Sequence, residues 1–251
     1  MSPFRSKMSL PNNTIVVFAP GAWSSSSSYD DFRTMLDQRG ISSFAMDHLS
    51  NGAEPPTKGL GDDSRHLRKF LTDFADQGKK ILLVGHSYGG MVISAASAGL
   101  GLAERSKAGQ HGGIICLVYM AAFVVPRGNN LKGMFNGQLS PWMLVQGDYV
   151  RCDPTVDLIP DVPGDVKARL SASPRGHICL AAFLDRATEE PWHTIPSAYI
   201  VCDDDRALPP AIQDSMITSL VNPKVFRLKS GHSPFLSMPD ETADIVEQLC
   251  Q

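Results

Sequence analysis

A serine hydroxyl is a weak nucleophile at neutral pH. It attacks a carbonyl when a base takes its proton and an acid orients that base. Residues of all three kinds occur in this chain in a telling order. Ser87 stands in Gly85-His86-Ser87-Tyr88-Gly89, His232 in Gly231-His232-Ser233, and Asp203, Asp204 and Asp205 lie between them. The G-x-S-x-G run follows the apolar stretch 81–84 and precedes 90–98, which reads as a small-residue helix. Strand, tight turn and helix in that order form a nucleophile elbow, whose strained turn lifts the hydroxyl clear of the sheet. Glycines flank it because side chains there would collide with neighbouring backbone. Serine, acid, histidine is also the chain order that accompanies such an elbow. The predicted chemistry is acyl transfer through Ser87, with His232 as base and one of the three aspartates as its orienting acid.

Negative charge on a tetrahedral intermediate needs two preorganised N–H donors. One is expected from the backbone of Tyr88, the residue after the nucleophile. The other is expected in the loop after the first core strand, Pro20-Gly21-Ala22-Trp23, where Gly21 allows close approach and Ala22 is the donor. The other histidines rank lower. His86 is expected to pack behind the turn, and His48, His66 and His111 stand in polar surroundings that predict exposure. His177 and His193 fall in or beside an irregular segment, His177 as a candidate pocket residue. No pair has H-x-x-x-H or H-E-x-x-H spacing, so neither a catalytic metal nor a cofactor is expected.

These groups meet only if the strands carrying them end at one sheet edge. Short apolar strands are predicted at 14–18, 41–46, 81–84, 114–120, 198–202 and 224–228. Helical spacing separates them: Phe32, Met35 and Leu36 behind a capping-box pattern at Ser28-Tyr29-Asp30-Asp31, then Leu67, Phe70, Leu71 and Phe74. Further helices are expected at 209–220 and from Pro239, with Ile245, Val246 and Leu249 inward. Such alternation predicts parallel βαβ units and an α/β fold. The rhythm breaks over 126–191, a length that marks a lid or binding element. The expected organisation is a core of 14–125 and 192–251, a lid or cap insertion of 126–191, and an N-terminal extension of 1–13. Phe135, Trp142, Met143 and Phe183, with 178–183 read as a lid helix and Trp23 from the oxyanion loop, predict an apolar substrate pocket. The serine run 24–28 reads as a solvated loop.

Bulk properties narrow the partners. The 251 residues, 43% hydrophobic and 20% charged, fit a globular enzyme with a sizeable core. A net charge of -3 offers no basic footprint for nucleic acid. No apolar run approaches the roughly 20 residues needed to cross a bilayer. The basic N-terminus leads into Pro11-Asn12-Asn13 rather than an apolar signal core, so a cytoplasmic location is expected. The five cysteines are odd in number and scattered, which predicts no disulfide and no structural metal; Cys116 and Cys202 read as buried strand thiols. The expected partner is a small-molecule substrate, with neither nucleic acid nor membrane, and a homodimer stays open.

Ala19-Pro20-Gly21-Ala22-Trp23, Gly85-His86-Ser87-Tyr88-Gly89-Gly90, Ala198-Tyr199-Ile200-Val201-Cys202, Asp205-Arg206-Ala207-Leu208-Pro209-Pro210 and Gly231-His232-Ser233-Pro234-Phe235 together resemble the α/β-hydrolase superfamily. Within it, the pattern is similar to microbial and fungal esterase-like proteins related to the plant methylesterase and hydroxynitrile lyase branch. The likeness runs from Thr14 through nearly the whole chain, specific in the core and weak in the insertion. It implies an α/β-hydrolase fold, with a mostly parallel central sheet flanked by helices and a lid or cap insertion. It also implies that the acid sits just before a short stretch ending in proline, which favours Asp205, with Asp203 as runner-up. Some relatives carry the acid after the strand following the elbow, where this chain has Met120-Ala121-Ala122-Phe123. Many have His-Gly at the oxyanion loop, whereas Pro20-Gly21 here removes one N–H and stiffens the start of that loop. The implied activity is that of a serine hydrolase cleaving a small or medium apolar carboxylic ester or lactone through an acyl-enzyme. The same triad also suits a lyase or another non-hydrolytic enzyme of secondary metabolism, or a ligand-binding receptor on this fold.

Overall fold

Apolar strands that must be buried on both faces have to lie side by side between helices, and six of them do so here. The computed structural model describes residues 13–171 and 176–251, so the expected N-terminal extension falls outside the described residues except for Asn13. In chain order the strands are β1 (Thr14–Ala19), β2 (Ser42–Ala45), β3 (Lys80–His86), β4 (Gly113–Met120), β5 (Met143–Gln146), β6 (Tyr149–Cys152), β7 (Ile178–Cys179), β8 (Ser197–Cys202) and β9 (Lys224–Leu228). Six form one parallel sheet in the order β2-β1-β3-β4-β8-β9, as an α/β fold requires. The register matters for function. Ala19 pairs with Gly85 and His86 with Met120, so the loops starting at Pro20, Ser87 and Ala121 leave the sheet at one level.

The helices are α1 (Asp30–Gln38), α2 (Leu60–Asp76), α3 (Gly89–Ser97), α4 (Leu102–Lys107), α5 (Leu131–Met134), α6 (Gly164–Ser171), α7 (Ala181–Leu184), α8 (Pro210–Ile217), α9 (Pro234–Ser237) and α10 (Pro239–Leu249). Side chains alternate across each strand. Val17, Leu83 and Leu117 therefore join Leu67, Leu71 and Val92 of α2 and α3 in one core. Val16, Leu82 and Val118 join Phe32, Leu36 and Val246 of α1 and α10 in the other. Cys116 and Cys202 are buried free thiols in this sheet, and burial pushes Cys116 up to about 12. No helix among the described residues is long and apolar enough to cross a membrane.

Two local expectations are corrected. The capping box at Ser28 and Asp31 does not form, because Ser28 belongs to a 3-10 turn and Tyr29 caps α1 without a side-chain bond. Tyr29 is fully buried, its ring centroid 5.0 Å from Phe18 and 4.2 Å from Phe235, and seating that ring dictates the turn. Nor is 178–183 one helix. Ile178 and Cys179 form β7, and the helix is confined to Ala181–Leu184. Both edges of β7 are taken: β6 pairs along one side, and on the other the Cys179 N–H donates to the Ser50 carbonyl at 3.0 Å. Between residues 126 and 191 the chain thus builds the small antiparallel sheet β5-β6-β7 with short helices around it.

Candidate active site

β3 runs straight into Ser87, which turns the chain at φ 52 before α3 begins. A non-glycine residue in this left-handed region costs about 1–3 kcal/mol and persists only when its surroundings hold it. Three backbone bonds do so. The Ser87 N–H donates to the Met120 carbonyl at 3.3 Å, and the Ser87 carbonyl accepts from Gly90 at 3.0 Å and Phe123 at 3.1 Å. The flanking glycines are required by contact: a Cβ on Gly85 would stand 2.6 Å from the Gly89 carbonyl oxygen, and one on Gly89 would collide with the Ala19 carbonyl.

The loops after β8 and β9 bring the acid and the imidazole together. Asp205 Oδ2 lies 2.7 Å from His232 Nδ1, with the acid buried. Its Oδ1 accepts the N–H groups of Ala207 at 2.8 Å and Leu208 at 2.9 Å, while Gln213 Nε2 donates to Oδ2 at 3.2 Å. A carboxylate can only accept, so Nδ1 of the neutral imidazole carries the proton and Nε2 keeps the lone pair. The other two acids point elsewhere. Asp203 pairs with Arg227 at 2.6 Å on the surface, and Asp204 is exposed.

His86 packs behind the turn as expected. Its Nε2–H donates to the His232 carbonyl at 2.7 Å, and the two rings lie 4.7 Å apart. Burial, reinforced by the neighbouring His232, lowers its pKa to about 3. An unfolded chain takes up this proton near 6.5 while the folded one refuses it until about 3. Stability from this group is therefore complete above the unfolded value and is lost as pH falls through that window. We expect unfolding free energies from urea titrations to fall by up to about 1.4 kcal/mol per pH unit from this group there. His86→Gln, which keeps an N–H donor, should flatten that slope; an unchanged slope would assign the acid sensitivity to other groups.

The Ala22 and Tyr88 N–H groups donate to no protein acceptor among the described residues, although Tyr88 is fully buried. Ala22 is half-buried, and a backbone N–H withdrawn from water without a partner is uncommon. Both residues line the same cavity as Ser87 and His232, a space of about 200 Å³. Of the candidate pocket residues, Trp23, Trp142, Met143 and Phe183 line it. Phe135 and His177 do not. Phe135 packs behind Phe123, ring centroids 5.8 Å apart, and it is Phe123 that faces the cavity. His177 Nε2 bonds to the Ala53 carbonyl at 3.1 Å and its ring packs on Tyr149, tying β7 to the loop after β2.

Other features escaped sequence reasoning. Leu158, Ile159 and Leu208, scattered loop residues, and Leu236 of the four-residue helix α9 also line the cavity, without periodicity to mark them. Ser24, Ser25 and Ser28 line it too, which corrects the reading of that run as a solvated loop. His48 is buried, not exposed, because its Nε2–H donates to the Pro20 carbonyl at 2.7 Å. His66 is half-buried against Phe70, and His111 is exposed as expected. No Asp, Glu, Lys or Arg among the described residues lines the cavity. Among the described residues no group of three or more His, Cys, Asp or Glu is placed to hold a metal ion.

The sequence and the fold have counterparts in known proteins. The model of the alpha/beta hydrolase family matches residues 16–245. The alpha/beta hydrolase nvfD of Aspergillus novofumigatus is 30% identical over 235 residues, covering 90% of this chain and 92% of its own length. A pyrethroid hydrolase from Sphingobium faniae superposes with a TM-score of 0.73 at 21% identity, over 95% of this chain and 97% of that one. The methylesterase MES16 from Arabidopsis gives the same TM-score at 21% identity, over 94% and 98%. With so much of its length matched by the family model and by a relative at 30% identity, the chain belongs to the alpha/beta hydrolase family.

Proposed function

We propose that the protein is a serine carboxylic-ester hydrolase that works through an acyl-enzyme. Ser87 Oγ attacks the ester carbonyl as His232 Nε2 takes its proton, and Asp205 holds the imidazole in the receptive tautomer and balances its charge. The Ala22 and Tyr88 N–H groups hold the oxyanion. His232 then returns the proton to the leaving alcohol, and water enters by the same base to release the acid. The observation that carries this reading is the buried 2.7 Å bond from Asp205 to His232, in the cavity that Ser87 reaches from its strained turn. The names of the pyrethroid hydrolase and the methylesterase, the second an esterase by name, support it.

The cavity walls speak to the substrate. About 200 Å³ is below the roughly 300–1,000 Å³ typical of drug-sized ligand sites, and the lining carries no Asp, Glu, Lys or Arg among the described residues. A small or medium neutral ester or lactone fits both facts. Residues 126–191 act in this proposal as the lid, through Trp142, Met143 and Phe183.

The test is to quench a reaction with p-nitrophenyl acetate in acid and locate the acetyl group by peptide mass spectrometry. Acetylation on Ser87, forming as fast as nitrophenol appears, is the expected result. Steady turnover with no acyl group on Ser87 at any time would point to proton-transfer chemistry of the lyase kind.

A further inference from the structure

The loop between β2 and α2 grips the oxyanion loop at its one strained point. Trp23 stands at φ 61, a backbone region that a bulky side chain seldom enters. Asn51, buried beside it, holds both sides of that residue. Its Oδ1 accepts the Trp23 N–H at 3.1 Å, and its Nδ2 donates to the Ser24 carbonyl at 2.8 Å. A carboxamide offers an acceptor and a donor a short step apart, which is what a turned peptide presents to it.

Asn51 is itself fixed from behind. It bridges to Ile178, the Gly52 N–H donates to the His177 carbonyl at 2.9 Å, and Ser50 donates its N–H and hydroxyl to the buried Asp63. Asp63 Oδ2 also accepts the Tyr88 hydroxyl at 2.8 Å. His48 holds the Pro20 carbonyl at the start of the same loop. With Pro20 anchored by His48, relaxation of Trp23 is taken up across Gly21 and Ala22, the two residues between them.

We propose that Asn51 is a positioning residue: by keeping Trp23 left-handed it presents the Ala22 N–H to the developing oxyanion. This rests on the serine-hydrolase reading above, since it assigns Asn51 to one half of that oxyanion site. Asn51 touches no reacting atom and acts through the backbone it holds.

The experiment compares Asn51→Ala and Asn51→Asp with the full-length wild type, using p-nitrophenyl acetate kinetics and inhibition by phenylboronic acid. The boronate adds to a catalytic serine as a tetrahedral anion and so reports on the oxyanion site. For Asn51→Ala we expect kcat to fall about 10- to 100-fold, with KM within about threefold and the phenylboronic acid Ki raised by the same factor as the loss in kcat. Asn51→Asp keeps the acceptor for Trp23 but turns a second acceptor, a carboxylate oxygen, toward the Ser24 carbonyl, and should show the same pattern of a kcat loss matched by Ki. It carries the comparison alone if the alanine variant does not fold. A merely structural role would lower the amount of active protein while leaving Ki unchanged, and that result overturns the proposal, as does an effect confined to KM. A wild type that turns over the ester and binds the boronate, beside variants that match it, refutes the role of Asn51 alone. A wild type that does neither removes the hydrolase reading and this inference with it.

Discussion

Ser87→Ala is expected to lower kcat for ester hydrolysis by about 10⁴- to 10⁶-fold, because a nucleophile that acts as a unit with its base leaves only oxyanion and binding effects when removed. KM should stay within about threefold, since one hydroxyl is a small part of the apolar wall that binds substrate. The protein itself should stay intact. Alanine at φ 52 carries the same backbone strain as serine, so thermal stability should barely move. Ser87→Gly provides the contrast: glycine occupies this region freely, and relief of about 1 kcal/mol would raise the melting midpoint by about 2–4 °C while activity is equally lost. Stability gained and turnover lost at one position would mean that the strained turn is kept for chemistry. Full turnover by Ser87→Ala would remove the nucleophile assignment outright.

The elbow was legible because its requirements are local. Strand 81–84, two glycines that must lack a Cβ, and a small-residue helix are adjacent in sequence, and the structure assembles them as adjacent elements. The parallel sheet was legible for a related reason, since strands buried on both faces read as unbroken apolar runs. The residues that were misread all take their surroundings from distant chain. His48 lies in a polar stretch, but its environment is set by a carbonyl 28 positions earlier. Ser24 and Ser28 look like a solvated loop until the insertion and the 232–236 segment enclose them. Within 126–191 the strands are two to four residues long, too short for alternation to show, and β7 exists because edges on both sides were waiting for it. Phe135 and Phe123 illustrate the remaining difficulty: pattern selects an aromatic cluster, and packing decides which ring faces the cavity.

The three consecutive aspartates were the point at which composition said least and geometry says most. Asp205→Asn is expected to cost about 10³- to 10⁴-fold in kcat with little change in KM, although the replacement is nearly isosteric. The reason lies in the acid's other partners. Oδ1 already accepts from the Ala207 and Leu208 N–H groups, so an asparagine must keep its carbonyl oxygen there. Its NH₂ then takes the place of Oδ2, facing the Nδ1 of His232 at 2.7 Å and the Nε2 of Gln213 at 3.2 Å. Gln213 has no freedom to turn, because the same nitrogen donates to the Leu208 carbonyl at 2.7 Å and its Oε1 accepts the Cys202 N–H at 3.1 Å. His232 must therefore present a lone pair at Nδ1, which moves its proton to Nε2 and leaves no base facing the serine. Asp203→Asn is the matched control. It breaks a half-exposed pair with Arg227 and should leave kcat within about twofold and stability within about 1 kcal/mol. The reverse pattern, with turnover kept in Asp205→Asn and lost in Asp203→Asn, would transfer the orienting role to Asp203. It would also require the β8–α8 loop to rearrange around Gln213 in the working enzyme.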